Sequence, residues 1–328
     1  MSTLELGIVG LGNWGDRLAN AVAGLPDVTL KTCFARSLES RSAFAAKHGC
    51  EQARSLEAFL SEPLDGILVA TPHSTHREMV EVITGAGRNV MVEKPLALST
   101  TDARACVEAA DRAGVILQLA HYRRRLSATR ALKAAIDEGR LGRVHALEGW
   151  FSRVWGPQTE RPWRDDPDES PLGGMTALGV HIVDNFHYLA GPIERVSCFS
   201  KQVEGITGID DVTMAMFEFE NGAVGQLSTS LRIPFKCTTS VFGSEGAGYS
   251  LDDGNRFAIQ GRDDRDPVEM PVESVEGVSA NLTAFCDAVR SGTQPETGGP
   301  EAFAVVAVME AMGRSASVGG QPMNVEEL

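Results

Sequence analysis

The chain has 328 residues, 43% of them hydrophobic and 23% charged, the proportions of a globular protein with room for about two domains. A formal charge of −14 argues against nucleic acid or an anionic membrane as partner. No apolar run of about 18 residues is present to span a bilayer, and the N-terminus lacks the pattern of a signal peptide. The six cysteines are scattered without a C-x-x-C pair, so a reducing, cytoplasmic setting is expected.

The first apolar run, Leu6-Gly7-Ile8-Val9, opens directly into Gly10-Leu11-Gly12-Asn13-Trp14-Gly15. This is G-x-G-x-x-G at a strand-to-helix join. The three glycines would supply a tight turn, close backbone approach to a pyrophosphate, and close helix–strand packing. The phosphates would rest on unpaired N–H groups at the helix N-terminus, which carries partial positive charge. Leu18, Ala21, Val22 and Leu25 then recur at helical spacing, which gives the pattern its required context.

Up to residue 121 the chain alternates strands and helices. Strands are expected at Leu4–Gly10, Val28–Ala35, Gly66–Ala70, Asn89–Val92 and Val115–Ala120. Helices are expected at Leu38–His48 and Thr101–Ala113, the second capped by Ser99 with Asp102 three residues on. The alternation predicts an α/β fold with a doubly wound parallel sheet, a Rossmann domain, over residues 1–121. Ligands of such sheets bind beyond the carboxyl ends of the strands.

From residue 122 to 328 the pattern is that of an α+β domain with mainly antiparallel strands. A helix at Ala128–Glu138 precedes a long strand from Arg143, and Gly173-Gly174 leads into a helix from Thr176 to Leu189. Strands follow at Val196–Lys201, Val212–Phe219 and Ala223–Ser230, with a hairpin signal at Asn221-Gly222. Residues from Lys236 to Val272 read as further strands. Two helices, Val278–Ser291 and Pro300–Val318, close the chain.

The second strand ends Cys33-Phe34-Ala35-Arg36-Ser37, with no carboxylate where an NAD-binding fold places one for the ribose hydroxyl. Arg36 could clamp a 2′-phosphate and Ser37 donate to it, with Arg41 a helical turn further on. A carboxylate would repel that phosphate, so its absence favours NADP as cofactor over NAD. The alternative leaves Arg36 as a surface turn residue and gives the ribose to Glu39.

Thr71-Pro72-His73, with His76 beyond, follows one strand, and Glu93-Lys94-Pro95 follows the next. Both belong at the carboxyl edge of the sheet. Here the chain resembles the family of glucose-fructose oxidoreductase, inositol dehydrogenase and rhizopine-catabolism oxidoreductases (Gfo/Idh/MocA). The resemblance covers essentially the whole chain. It rests on Gly10–Gly15, Thr71-Pro72 with His76, Glu93-Lys94-Pro95, Trp163-Arg164, and Gly173-Gly174 leading to His181 and Asp184. It implies a Rossmann domain and a second domain with a large open sheet, through which homo-dimers or homo-tetramers pack. It also implies NAD(P)-linked hydride transfer at a hydroxyl or carbonyl of a sugar, polyol or related substrate.

That chemistry needs a proton carrier at the reacting oxygen. Lys94 can act there as acid or base and stabilise a developing alkoxide. His181 can assist it, with an ordinary pKa near neutrality. Gly10, Gly12, Asn13, Trp14, Gly15, Arg36, Ser37, Thr71, Pro72, His73, His76, Glu93 and Lys94 are the expected cofactor-binding residues. Tyr122, Trp163, Arg164 and Asp184 are expected near substrate, with Arg123, Arg124 and Arg125 mostly a solvated basic turn. No metal is expected, because His73 and His76 lack a third ligand cluster.

The chain departs from its relatives at Ala177, where many carry an aspartate four residues before the histidine. Asp165, Asp166 or Asp168 could replace it, the substrate itself could supply an acidic group, or Lys94 could act alone. Two other functions stay open: a non-catalytic NADP-binding sensor, and a dehydrogenase of dihydrodiol type.

Overall fold

The computed structural model describes residues 3–157 and 162–328. Residues up to Tyr122, with Glu276–Val306 and Leu328, form one compact unit; Arg123–Val275 with Ala307–Glu327 form a second.

The first unit contains six parallel strands: β1 (Leu4–Val9), β2 (Val28–Phe34), β3 (Glu51–Gln52), β4 (Gly66–Val69), β5 (Asn89–Val92) and β6 (Leu117–Leu119). Their order, β3-β2-β1-β4-β5-β6, is doubly wound and reverses between β1 and β4. All of β4 is buried, which is why it reads as a continuous apolar run rather than an alternation. Helices α1 (Asn13–Ala23), α2 (Leu38–His48), α3 (Leu56–Ser61), α4 (His76–Gly85) and α5 (Thr100–Ala113) connect the strands. Ser37, Ser55 and Ser99 cap α2, α3 and α5, each accepting the backbone N–H three residues on. Gly49 and Gly114 end α2 and α5 in the left-handed conformation. The two-residue β3 and six-residue α3 lay outside the sequence reading, being too short to show a period.

The second unit begins with α6 (Ser127–Asp137) and β7 (Val144–Ser152), then α7 (Val180–Ala190). It continues through β8 (Ile193–Lys201), β9 (Val212–Phe219), β10 (Val224–Ser230), β11 (Lys236–Gly243), β12 (Gly246–Leu251), β13 (Arg256–Gly261), β14 (Val268–Met270) and β15 (Met323–Asn324). The nine strands form one sheet in the order β14-β13-β12-β11-β7-β10-β9-β8-β15. Only β7 and β10 run parallel. The Asn221-Gly222 turn forms as expected: Gly222 has φ +83, and the Asn221 side chain accepts the Ala223 N–H at 2.9 Å. β9 alternates, with Ala215, Phe217 and Phe219 buried while Met214, Met216 and Glu218 face outward.

Two expectations are corrected. The helix expected from Thr176 to Leu189 is not continuous α-helix: a π-helical turn, Met175–Gly179, precedes α7. Close packing accompanies this turn, since a Cβ at Gly179 would lie 2.0 Å from the Met175 sulfur. Nor is residues 122–328 one continuous unit. Helix α8 (Gly277–Ser291) belongs to the first unit, where Leu282, Phe285 and Cys286 share a core with Leu18, Ala21 and Val22 of α1. Arg290 secures it to Asp27, 263 residues earlier, a distance over which local periodicity is silent. The last helix, α9 (Gly299–Ser317), follows.

Candidate active site

The three glycines of the opening turn meet three different constraints. Gly10 has φ +90, and a Cβ there would lie 2.4 Å from the Ala70 carbonyl carbon and oxygen. Gly15 lets α1 rest on the turn, since its Cβ would stand 2.2 Å from the Gly10 oxygen. Around Gly12 a Cβ would meet nothing within 4 Å. Gly12 therefore has no packing reason to lack a side chain, and open space remains over the N-terminus of α1. No side chain caps that helix. Its first N–H groups thus lack a side-chain acceptor, as a helix N-terminus that receives an anion requires.

Around this turn, Trp14 packs against Tyr122 with ring centroids 6.2 Å apart, and the Arg17 guanidinium lies 4.6 Å over Trp14. Asn13 is exposed beside the open space. Asp16 receives His48 Nε2 at 2.8 Å and Lys47 Nζ at 2.9 Å, joining α1 to the end of α2. Partial burial alone would raise the Asp16 pKa; hydrogen bonds from His48 and Lys47 outweigh it and hold the carboxyl below its usual range.

At the end of β2, Arg36 and Ser37 are exposed. Arg36 has no partner among the described residues, which leaves its guanidinium available to an anion. The Ser37 oxygen accepts the Ser40 N–H at 3.2 Å, so its own proton can still be donated outward. Arg41 is otherwise engaged: it donates to the Ala35 carbonyl at 3.0 Å and lies 5.6 Å from the Phe34 ring. It braces the loop instead of serving as a second anion clamp.

Beyond β4, the Thr75 hydroxyl donates to the Pro72 carbonyl at 2.7 Å and lies 2.8 Å from that of Thr71. His76 is wholly buried, with Nδ1 2.8 Å from the Pro95 oxygen and Nε2 3.0 Å from the Thr71 oxygen. Both nitrogens thus face backbone acceptors. His76 thereby braces the loop after β4 against the loop after β5. His73 is buried beside it, its ring 5.8 Å away and edge-on.

Glu93 continues the β5–β4 pairing through its N–H to the Val69 oxygen at 2.8 Å. Glu93 and Lys94 are only 7% and 6% exposed, and the Lys94–Pro95 peptide is cis. Lysine is seldom this buried unless its charge is paired. Lys94 follows β5 and Gly10 follows β1, so both lie at the carboxyl edge of the same parallel sheet.

In the second unit, Gly173 has φ +54, and a Cβ there would strike the Asp210 oxygen at 1.8 Å. The π-helical turn and α7 then carry His181, which is 3% exposed with its ring 6.2 Å from Phe151. Asp184, one turn on, is wholly buried and accepts from Arg124 Nε at 2.9 Å through both oxygens, with Nη2 at 2.8 Å. A buried carboxylate so paired is held within the fold. It also cannot replace the carboxylate absent at Ala177.

Arg123 and Arg124 are corrected from a solvated basic turn. Both are buried. Arg123 pairs with Asp253 at 2.5 Å and lies 4.3 Å over the Phe151 ring. Nothing in the local pattern could have revealed these long-range pairs. Arg164 stacks 4.5 Å over Trp163 and 6.0 Å from Trp155, all in the same unit. Of the acids near that pair, Asp165 is half-buried, and Asp166 and Asp168 are exposed.

Residues 4–121 match the model described as oxidoreductase family, NAD-binding Rossmann fold, and residues 129–248 match that of the GFO/IDH/MocA C-terminal domain. The chain is 30% identical over 291 residues to 1,5-anhydro-D-fructose reductase of Ensifer adhaerens, covering 86% of this chain and 87% of that protein. It is 30% identical over 289 residues to D-apiose dehydrogenase of Paraburkholderia graminis, covering 81% and 75% respectively. The crystal structure of GenD2 from gentamicin A biosynthesis in complex with NAD matches with a TM-score of 0.87 at 28% identity, covering 99% of this chain and 97% of that one.

Proposed function

The chain belongs to the GFO/IDH/MocA family of NAD-binding oxidoreductases, and we propose that it interconverts a hydroxyl and a carbonyl on a sugar, polyol or related small molecule. Lys94 is the principal acid/base in this reading and His181 its assistant. The observation that carries it is a buried lysine on the loop after β5, at the carboxyl edge of the sheet that also bears the open Gly12 turn. The relatives named for anhydrofructose and apiose support the substrate class.

A bound nicotinamide dinucleotide supplies or accepts the hydride. Gly10, Gly12, Asn13 and Gly15 form its phosphate turn, with Trp14 beside them; Thr71, Pro72, His73 and Glu93 line the sheet edge. Arg36 and Ser37 face the ribose end, and the exposed guanidinium with no acid at the strand tip supports a preference for NADP. In the reducing direction the Lys94 ammonium donates a proton to the substrate oxygen as negative charge develops there. In the oxidising direction its neutral amine takes the hydroxyl proton. Burial keeps water from competing for either transfer. Trp163, Arg164 and Tyr122 contribute to substrate binding.

The exposed apolar residues Phe199, Met214, Met216 and Val224 of β8, β9 and β10 support assembly as a homo-oligomer. Among the described residues no helix is long and apolar enough to cross a membrane; a cytoplasmic location completes the proposal.

Ala177, with Asp184 committed to Arg124, favours a second reading, a sensor that binds dinucleotide without turnover. Monitoring nicotinamide absorbance with both cofactors against sugars, polyols, lactones and diols separates the two. Turnover of a hydroxyl or carbonyl substrate is expected. Binding of NADPH without turnover of any of them would favour the sensor.

A further inference from the structure

Beyond the proposed reaction, we infer that the first unit carries a second small-molecule site, at the outer edge of β6, which takes a compact organic cation with an apolar body. The side of β6 that faces β5 is regular. Val90 donates to the Ile116 oxygen at 2.8 Å and Ala120 to the Val92 oxygen at 2.9 Å, with Val90 opposite Leu117 and Val92 opposite Leu119. Ile116, Gln118 and Ala120 therefore turn their backbone groups toward β5, and Val115, Leu117 and Leu119 turn theirs away.

The outward groups meet the chain between α8 and α9, but not completely. Leu119 donates to the Thr297 oxygen at 2.8 Å and accepts from the Thr297 hydroxyl at 3.1 Å. Gln294 Nε2 lies 3.5 Å from the Val115 oxygen. Leu117, between these two, is passed over. The passing chain has no side chain at Gly298, where a Cβ would stand 3.8 Å from the Leu117 oxygen. Among the described residues nothing accepts the Leu117 N–H and nothing donates to its oxygen, although the residue is only 2% exposed. Buried backbone groups are rarely left so, and a donor and an acceptor together beside a cavity call for an occupant.

That cavity has a volume of about 210 Å³ and is walled by Val107, Ala110, Val115, Leu117, Pro295 and Pro300. A cavity of roughly 150 Å³ admits benzene, so a benzene-sized ring with a polar substituent fits here. The charged lining is Asp111 of α5 and Glu301 of α9, with no basic side chain among the described residues. Glu301 Oε2 accepts the Gly298 N–H at 3.1 Å, which fixes that carboxylate at the start of α9. Asp111 is exposed, and its carboxylate has no partner among the described residues. Two carboxylates and the Leu117 oxygen all ask for donors. An ammonium or amidinium group answers them, and an anion would be repelled.

This site is separate from the candidate active site. Leu117 opens β6 at its amino end, whereas Gly10 and Lys94 follow the carboxyl ends of β1 and β5 in the same parallel sheet. A ligand at Leu117 and a dinucleotide over Gly12 therefore occupy opposite edges, and each can bind with the other in place.

Calorimetric titration of the full-length protein with benzamidine tests the site. Saturable binding at one molecule per chain is expected, unchanged when NADPH is added. Benzamide, the neutral analogue, should bind roughly tenfold weaker or less, and benzoate not at all. Asp111→Asn combined with Glu301→Gln, which keeps a side-chain acceptor for Gly298, should weaken benzamidine roughly tenfold or more and leave NADPH affinity unchanged. Displacement of benzamidine by NADPH, or equal affinity in the double variant, would overturn the proposal. A crystal soaked with benzamidine gives the position: the amidinium on the Leu117 oxygen is expected. Ordered water on both Leu117 groups, with benzamidine absent or bound elsewhere, would overturn the site.

Discussion

Lys94, on the sheet edge that also bears Gly10, and His181 in the second unit are both buried, but they are held by different means. At the first, short contiguous runs suffice: a turn of glycines, and a Glu-Lys-Pro element directly following a strand. Each fixes its own backbone, and His76 ties two adjacent loops through carbonyl oxygens. At the second, α7 is fixed by groups distant in sequence, with Asp184 locked to Arg124 and Phe151 lying between Arg123 and His181. Chemistry written in adjacent residues survives being read as a string. Chemistry assembled by ion pairs across 60 residues does not.

The largest effect that would break this contrast falls on the distant pair. Asp184→Ala leaves a buried guanidinium uncompensated and is expected to cost about 3–5 kcal/mol. Urea unfolding would read this as a large drop in midpoint with little change in slope. A loss below about 1 kcal/mol would mean that Arg124 and Asp184 do not hold α7.

The glycines sharpen the comparison within one turn. Gly15→Ala forces a Cβ against the Gly10 oxygen and should lower stability by about 1–3 kcal/mol. Gly12→Ala meets open space, and its φ of −82 suits any residue. It should leave the melting temperature unchanged while weakening dinucleotide binding by roughly tenfold or more. Equal thermal losses in the two variants would contradict separate roles for them.

The smallest effect lies at the ribose end. Arg36→Asp should weaken NADPH binding by roughly tenfold and leave NADH binding equal or improved. An unchanged ratio of the two affinities would remove the basis for an NADP preference.

Much of the first unit was legible because its signals are local. Leu38–His48 and Asn89–Val92 matched residue for residue, and Ser99 caps α5 as its position predicted. The β3 strand and α3 carry too few residues for a period to show. The return of α8 depends on packing against α1, which no window along the chain can reveal. At the candidate site, the glycine turn and the Glu-Lys-Pro element were legible as motifs, though the burial of Glu93 and Lys94 was not. What the string concealed was commitment: Arg41, Arg123, Arg124 and Asp184 looked available, and each is already engaged inside the fold. The π-helical turn before α7 was hidden for a related reason, since its composition is that of an ordinary apolar helix.

The most direct measurement compares turnover and cofactor affinity in Lys94→Ala. With the substrate found by the absorbance screen, kcat should fall by roughly 10²-fold or more while the NADPH dissociation constant stays within about twofold. Undiminished kcat in that variant would contradict Lys94 as the proton carrier, and the proposed reaction would lose its acid/base.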